Sequence, residues 1–399
     1  MAFSSSDDFL ADLHRLQRKF DAIPPLLEQS FIDKDKGVEG HVVVWNGAIC
    51  EGGPLFDNGI GCGKGGTRVQ AGLSLEHVKR LARAMAQKNA AAGLPMGGAK
   101  SGLNLDPRDP GYEQKWKFFV QMVKDSGILY EDGGVFGGFG YDVGCKPPLN
   151  ALWTIEQLGS GRSMTGKPTE YGGTDYDKRG IAGFGVAVAA RTLLDVQTGT
   201  AEGKSYAVQG VGAMGGAVLR YFAEFGGILK AMSDPKYGGT WIFDAKPSKK
   251  LLEDPSAENV AMEARKVSDD VSGALYADVD VVFPCALEDA ITLDNYNQIK
   301  APFIVEGANN PTTDDAHQAL YKDGTFVVPD IIANPGGIIA AYVEMTSGVE
   351  DKAAEAFALS EDRIAQNVIQ LISLVKEYDV SPDLVADYIT YKNIFKEGA

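Results

Sequence analysis

The sequence of 399 residues has few cysteines, few histidines and no apolar run of membrane-spanning length. Its four cysteines form no CxxC pair and have no neighbouring histidine at metal-ligand spacing: Cys50, Cys62, Cys145 and Cys285. This pattern predicts a reducing, cytoplasmic location and no metal site. The amino terminus carries acidic residues where a secretory signal needs basic ones, so export is not expected.

Basic residues are also scarce, with 38 Lys and Arg against 54 Asp and Glu and a formal net charge of −16. Such a charge repels nucleic acid and anionic membrane surfaces, so neither is an expected partner. The hydrophobic share of 44% suits a soluble globular protein with two or three domains. Small molecules are therefore the expected ligands.

A regular order of short apolar runs appears in the second half of the chain. The strand patterns SYAVQG and ILKAMSD enclose a helical pattern over 213–225, which predicts a βαβ unit. Later apolar runs at 279–283, 303–307 and 325–332 are typical of strands buried on both faces of a parallel sheet. Elsewhere, helical spacing is seen at 7–31, 73–95 and 353–378, and a strand pattern at 41–45. The apolar positions of the last helical pattern are Ile364, Val368, Ile369, Leu371 and Ile372.

The turn after SYAVQG has the GxGxxG spacing of a dinucleotide-binding loop. Gly210 would turn the chain, Gly212 would admit a pyrophosphate to the backbone, and Gly215 would let helix and strand pack closely. Ala213 and Met214 complete the loop. Because it stands between a strand and an amphipathic helix, this motif predicts a nucleotide site.

An acidic residue follows at the end of the second strand. Asp234 lies 24 residues after Gly210, where a carboxylate can bind the adenosine ribose and repel a 2′-phosphate. NAD is therefore the predicted cofactor. NADP remains possible, because Lys236 could offer charge to a 2′-phosphate, and Asp234 could instead form a turn.

Three lysines occur in unusual surroundings. Lys100 stands among four glycines in GLPMGGAKSG, Lys64 is framed by glycines in GCGKGGTR, and Lys88 projects from the apolar side of a predicted helix with Leu81 and Met85. A surface turn or a lysine reaching water are the simpler interpretations. If the three converge on one pocket, they could capture carboxylates, and crowding and burial would lower the pKa of at least one.

Seven motifs along the chain resemble those of the glutamate/leucine/phenylalanine/valine dehydrogenase family, most closely its glutamate dehydrogenase branch. They span most of the chain, in the order and with the spacing of the family. They are KGGTR (64–68), QKNAAAGLPMGGAKSG (87–102), YDVG (141–144), TGKPTEYGG (165–173), QGVGAMG (209–215), EGANNPTT (306–313) and VVPDIIANPGG (327–337).

The resemblance implies roles for four charged residues. Lys88 is similar to the lysine that holds the substrate α-carboxylate, and Lys100 to the catalytic lysine that polarises the carbonyl and activates water. Asp142 matches the aspartate that transfers protons, and Lys64 the lysine that pairs with the side-chain carboxylate of glutamate. The glycines around Lys100 would let substrate and cofactor crowd it. A turn cap for Asp142 and a surface cation for Lys64 remain the structural alternatives.

The resemblance also places Asn309 and Asn334 beside the nicotinamide and the substrate. The chain departs from the family pattern at several places, among them two single positions. Ala182 lacks a hydroxyl that would contact the nicotinamide carboxamide, and Ala341 stands where glutamate-specific members commonly use serine. Lys64 thus favours an acidic substrate, whereas Ala341 argues against tight recognition of glutamate.

The implied architecture is α/β, with two domains and a cleft between them. Residues 1–179, completed by carboxy-terminal helices within 346–399, would form a substrate-binding and oligomerisation domain, and 180–345 a Rossmann-like doubly wound nucleotide domain. The implied reaction is NAD(P)-dependent oxidative deamination of an L-amino acid, best L-glutamate, to its 2-oxo acid and ammonia. An apolar amino acid substrate or a catalytically inactive nucleotide-binding homologue remain alternatives. A homo-oligomer, hexamer or octamer, is also implied.

Overall fold

Two β-sheets organise the computed structural model, which describes residues 3–57 and 59–397. The first sheet has the strand order β1-β2-β7-β5, with β6 also paired to β7. The elements of this half are α1 (Ser6–Asp21), β1 (Leu27–Asp33), β2 (Val38–Trp45), β3 (Phe56–Asp57), β4 (Ile60–Gly61), β5 (Gly63–Lys64), β6 (Thr67–Val69), α2 (Leu75–Ala91), β7 (Gly97–Leu103), α3 (Tyr112–Asp125) and α4 (Leu149–Leu158).

The second sheet has the order β11-β10-β9-β8-β12-β13-β14. The remaining elements are α5 (Tyr176–Arg179), α6 (Ile181–Thr198), β8 (Ser205–Gln209), α7 (Ala213–Glu224), β9 (Ile228–Asp234), β10 (Gly239–Ile242), α8 (Lys249–Glu253), α9 (Ala257–Glu263), β11 (Arg265–Ser268), β12 (Val281–Pro284), β13 (Phe303–Val305), α10 (Asp314–Lys322), β14 (Phe326–Val328), α11 (Asp330–Ala333), α12 (Gly336–Thr346), α13 (Lys352–Tyr378) and α14 (Pro382–Phe395).

The centre of the first sheet is built from an apolar strand and a glycine-rich one. Strand β2 pairs antiparallel with β7, and Val42, Val43 and Val44 are fully buried. Helix α2 lies across β7. A Cβ at Gly98 would lie 2.0 Å from the backbone nitrogen of Ala86 on α2.

The glycines beside Lys100 therefore serve packing within the chain. A Cβ at Gly102 would lie 2.3 Å from Leu73 Cδ2, and one at Gly97 would lie 2.4 Å from the carbonyl oxygen of Trp45. The expectation that they make room for substrate and cofactor is wrong for these three positions. They let a helix and a neighbouring strand approach β7 closely, and so fix the strand that carries Lys100.

The second sheet has the topology expected for nucleotide binding. Strands β9, β8, β12, β13 and β14 pair in parallel, and β10 and β11 add an antiparallel edge. Strands that follow β8 are added first on one side of it, as β9 to β11, and then on the other, as β12 to β14. This change of side leaves a crevice at the carboxyl ends of β8 and β12. The predicted α/β class and Rossmann-like half are confirmed.

The carboxy-terminal helices cover both halves. Helix α13 packs on α6 and α12, whereas α14 packs on α2 and α1 of the first half. The largest apolar cluster accordingly contains residues from both sheets and from these helices, including Val43, Val208, Ile364 and Tyr391. No helix in the described part of the chain combines the length and apolarity needed to cross a membrane.

Three local expectations are wrong. Helical spacing over 7–31 covers α1, but residues 27–31 belong to β1, whose alternating exposure is that of an edge strand. The apolar run 325–332 is a strand only to Val328, because Pro329 ends the ladder and α11 begins at once. Ile369, predicted on the apolar stripe of α13, is 51% exposed.

Candidate active site

A cleft between the two halves encloses a cavity of about 1100 Å³. Residues from β5, α2 and β7 form one wall, and the loops that follow β13 and β14 form the other. The predicted residues that line it are Lys64, Lys88, Lys100, Asp142, Met214, Asn309, Asn334 and Ala341. The structure thus brings both predicted catalytic residues and all four predicted substrate residues to one cavity.

The two predicted catalytic residues form an ion pair. Lys100 Nζ lies 2.9 Å from Asp142 Oδ2, and Arg68 Nε lies 2.9 Å from the same oxygen. Arg68 Nη2 also donates to Asp142 Oδ1 at 3.3 Å. No role was predicted for Arg68 from the sequence. Its place in the motif KGGTR, four residues after Lys64, was a signal that it belongs to the site.

This arrangement sets the charge of Asp142. Burial alone would raise the pKa of its carboxyl, but the charges and hydrogen bonds of Lys100 and Arg68 outweigh burial and hold the pKa at about 2. Asp142 is therefore ionised at neutral pH. A carboxylate held between two cations keeps the Lys100 ammonium oriented in the cleft.

Lys88 connects the two walls of the cleft. Its Nζ donates to Asn309 Oδ1 at 2.9 Å, and Asn334 Nδ2 lies 3.2 Å from the same oxygen. Asn334 Nδ2 also donates to the carbonyl oxygen of Gly307 at 3.0 Å. Burial lowers the pKa of Lys88. A substrate carboxylate could take the place of the Asn309 oxygen as the partner of Lys88.

Lys64 is the most buried of the three lysines, with 1% of its surface exposed. Its Nζ donates to the carbonyl oxygens of Gly138 at 2.9 Å and Phe139 at 2.5 Å, with that of Gly65 at 3.4 Å. Burial lowers its pKa to about 7. The expected lowering of at least one lysine pKa is confirmed. Since backbone carbonyls already surround the ammonium, direct pairing with a substrate carboxylate requires one of these bonds to be exchanged.

The dinucleotide loop fits a bound pyrophosphate. Gly210 has φ +83°, and a Cβ there would lie 2.6 Å from Ala286 Cβ, so only glycine suits this turn. No described atom lies within 4 Å of a Cβ built at Gly212, and no side chain caps the amino terminus of α7. A Cβ at Gly215 would lie 1.8 Å from the carbonyl oxygen of Gly210. Free amides at a helix amino terminus with open space before them suit a phosphate group.

Asp234 stands at the carboxyl end of β9, beside this loop. Its Oδ2 accepts from the backbone nitrogen of Val211 at 2.7 Å, and its Oδ1 from that of Lys236 at 2.8 Å. Lys236 Nζ donates to the carbonyl oxygen of Val211 at 2.5 Å. The carboxylate that would bind a ribose and the ammonium that would bind a 2′-phosphate thus lie together at the predicted position.

A buried ion pair at the junction of the two halves was also not predicted. The side chain of Glu344, on α12, is fully buried and accepts from Lys167 Nζ at 2.9 Å, from Thr174 Oγ1 at 2.7 Å and from the backbone nitrogens of Gly166 and Thr174. The carboxylate joins the 165–174 segment of the first half to α12 of the second. A fully hydrogen-bonded buried pair of this kind holds the two segments in one arrangement.

Comparison with known proteins is consistent with this site. A family model described as Glutamate/Leucine/Phenylalanine/Valine dehydrogenase matches residues 172–396, and one described as Glu/Leu/Phe/Val dehydrogenase, dimerisation domain, matches 36–130. The chain belongs to the glutamate/leucine/phenylalanine/valine dehydrogenase family. The resemblance drawn from the seven motifs is confirmed, and with it the expected class of NAD(P)-dependent amino acid dehydrogenases.

Curated members of this dehydrogenase family are similar over most of the chain. The NADP(+)-dependent glutamate dehydrogenase of Pyrobaculum calidifontis is 34% identical over 74% of this chain and 72% of its own length. The glutamate dehydrogenase of Aeropyrum pernix is 32% identical over 79% of this chain and 77% of its own. The hetero-hexameric glutamate dehydrogenase of Thermus thermophilus shares the fold, with a TM-score of 0.71 at 22% identity over 98% and 96% of the two chains.

Proposed function

We propose that this dehydrogenase catalyses the reversible, NAD(P)-dependent oxidative deamination of L-glutamate to 2-oxoglutarate and ammonia. The observation that carries the proposal is the Lys100–Asp142 pair, 2.9 Å apart, in the same cavity as Lys88. The curated relatives that are named glutamate dehydrogenases support this choice of substrate.

Binding and chemistry are divided among the residues of what we call the cationic wall, which are Lys64, Arg68, Lys88 and Lys100 with Asp142. Lys88 binds the α-carboxylate, which orients the α-carbon toward the second half of the cleft. Bound NAD or NADP supplies the hydride acceptor for that carbon. Lys100 donates a hydrogen bond to the water that adds to the resulting iminium carbon, and later to the developing 2-oxo group.

Asp142 orients Lys100 through their ion pair and also accepts protons during the reaction. A pKa of about 2 makes the carboxylate a weak base before substrate binds. A substrate carboxylate bound at Lys88 adds negative charge beside Asp142, which raises its pKa towards a range useful for proton transfer. Substrate binding therefore prepares the acid–base step.

The substrate side chain points towards Lys64. Thr165 and Ala341 line the cavity as well, and a Cβ at Gly140 would lie 2.9 Å from Thr165 Oγ1 and 3.4 Å from Lys64 Nζ. We propose that Thr165 supplies a hydroxyl at the end of the side-chain pocket where Ala341 cannot. Lys64, with a pKa of about 7, becomes fully charged when a carboxylate replaces one of its carbonyl partners.

For the cofactor we propose NAD, with NADP as the second candidate. Asp234 favours NAD because its carboxylate repels a 2′-phosphate. Lys236, beside it, favours NADP, as does the name of the Pyrobaculum relative. Gly210, Gly212, Ala213, Met214 and Gly215 would hold the pyrophosphate, and Asn309 with Asn334 would face the nicotinamide.

We also propose the domain boundaries 1–179 with 346–399, and 180–345, a cytoplasmic location and a homo-oligomer. The division follows the two sheets, and α14 packs on the first half. The match of 36–130 to a dimerisation domain supports self-association, and the hexameric Thermus relative makes a hexamer the first assembly to test.

A substrate panel tests the proposed reaction. Each 2-oxo acid is supplied with ammonium chloride and either NADH or NADPH, and oxidation of the cofactor is followed. We expect the highest kcat/KM with 2-oxoglutarate. A clear preference for 4-methyl-2-oxopentanoate would replace glutamate by an apolar amino acid, and cofactor binding without turnover would favour an inactive homologue.

A further inference from the structure

The wall of the cavity beyond Lys88 carries charge of the opposite sign. Four aspartates and a glutamate line this part, which we call the acidic lobe, together with His317. The carboxylates of the acidic lobe are Glu306, Asp314, Asp330, Asp383 and Asp387. Glu306 follows β13, and the other members lie on three helices: Asp314 and His317 on α10, Asp330 on α11, and Asp383 and Asp387 on α14.

The members of the acidic lobe lie close enough to interact. His317 Nε2 lies 3.2 Å from Glu306 Oε1, and Glu306 Oε2 accepts from the backbone nitrogen of Asp330 at 2.9 Å. Asp383 accepts from Gln318 Nε2 at 3.0 Å across the two halves. Excess negative charge among partly buried carboxylates costs free energy unless a cation binds beside them.

The pKa of Asp387 reflects this excess of negative charge. Burial, which is the largest cause, and the nearby carboxylates of Asp383, Asp314 and Asp330 together raise the pKa of Asp387 to about 7, although His317 opposes them. A mobile cation in the lobe would relieve the same repulsion that a bound proton relieves.

Two buried polar side chains in the same wall lack a partner. His317 is 7% exposed and Thr312 4% exposed, and neither His317 Nδ1 nor Thr312 Oγ1 forms a hydrogen bond with the described residues. Both residues line the cavity. The Thr312 hydroxyl can accept a hydrogen bond from a ligand that binds at this wall.

We propose that the acidic lobe is a binding site for ammonium, the small cation that enters or leaves in the proposed reaction. The inference rests on the proposed function and identifies where its second substrate collects. Ammonium offers four N–H donors and one positive charge. These match the charge of the carboxylates and two acceptors that form no hydrogen bond with the described residues, Glu306 Oε1 and Thr312 Oγ1. The cationic wall around Lys88 and Lys100 receives the anionic 2-oxo acid, so the cavity sorts the two substrates by charge.

The alternatives fit the acidic lobe less well. Among the described residues, no group of three or more His, Cys, Asp or Glu side chains has an arrangement that could hold a metal ion. The carboxylates also repel the phosphates of a dinucleotide. A monovalent cation with several hydrogen-bond donors is the ligand that this wall accepts.

Steady-state kinetics test the site through the variants Asp387→Asn and Thr312→Val. Ammonium chloride is varied at saturating 2-oxo acid and reduced cofactor, with ionic strength held constant by tetramethylammonium chloride. We expect Asp387→Asn to raise the KM for ammonium about fivefold or more, since a wall of one charge concentrates its counter-ion. The KM for the 2-oxo acid should change less than about twofold. Thr312→Val should raise the ammonium KM by a smaller factor.

The control is Asp323→Asn, the same substitution at an exposed position at the end of α10 that does not line the cavity. An unchanged ammonium KM in Asp387→Asn, or equal increases in both KM values, would overturn the proposal. A binding readout keeps this outcome separate from failure of the proposed reaction. Ammonium chloride should raise the melting temperature of the wild type more than tetramethylammonium chloride does, and this difference should disappear in Asp387→Asn but not in Asp323→Asn.

Discussion

The two walls of the cleft differ in how their charges are balanced. On the cationic wall, Lys100 and Arg68 share Asp142 at 2.9 Å each. Lys88 donates to Asn309 and Lys64 to backbone carbonyls, so each cation has a polar partner within the protein. In the acidic lobe, carboxylates face one another, and the pKa of Asp387 is raised to about 7. A balanced wall is organised before substrate arrives, whereas an unbalanced wall lowers its energy when a cation binds.

The largest effect is expected when Lys100, at the centre of the cationic wall, is substituted. Lys100→Ala should lower kcat about 10³-fold, because the ammonium that polarises the carbonyl is lost. Cofactor binding should remain measurable, since the dinucleotide loop lies on the other half. Lys376→Ala, at an exposed position on α13, is the matched control. Turnover that survives in Lys100→Ala would mean that the assigned mechanism is wrong.

The second prediction concerns the buried ion pair between Lys167 and Glu344, which joins the two halves. Glu344→Gln leaves the buried Lys167 ammonium without its counter-charge, which should cost about 3–5 kcal/mol of unfolding free energy. Glu361 Oε1 lies 2.7 Å from Arg191 Nη2, but the Glu361 side chain is about half exposed. The same substitution at Glu361 should therefore cost about 1 kcal/mol or less. Chemical denaturation of both variants measures the difference. Equal losses would show that burial does not distinguish these pairs.

The smallest expected effect is a pH dependence of stability that originates in the acidic lobe. An aspartate whose pKa is 3.8 in the unfolded chain and about 7 in the folded protein makes folding less favourable as pH rises between these values. The groups that face Asp387 are Asp383 on its own helix and Asp314, Asp330 and His317 opposite. Asp387→Asn should therefore raise the melting temperature more at pH 7.5 than at pH 5. An equal increase at both pH values would contradict the raised pKa.

The cationic wall was largely predictable from the sequence. Lys64, Lys88 and Lys100 stood out because local pattern and family motifs marked them, and the motifs also supplied Asp142. The dinucleotide loop was predictable because its spacing, its strand and its helix all occur within a short segment. Such features depend on interactions that are local in the chain or repeated throughout a family.

The acidic lobe and the buried ion pair were not predictable in this way. Lys167 lies within the motif TGKPTEYGG, but its partner Glu344 is 177 residues away and outside the seven motifs. Asp330 and Asp387 come from different helices, and only the packing of α14 brings them to one cavity. The strand over 325–332 was overextended although Pro329 offered a signal to stop it.

The most direct test of the account compares one variant from each wall in the same assay. Lys88→Met and Asp387→Asn are each titrated with 2-oxoglutarate and with ammonium chloride, and the two KM values are compared with those of the wild type. The account predicts a crossed result, in which Lys88→Met raises mainly the KM for 2-oxoglutarate and Asp387→Asn mainly that for ammonium. Equal increases of both KM values in both variants would contradict the division of the cleft by charge.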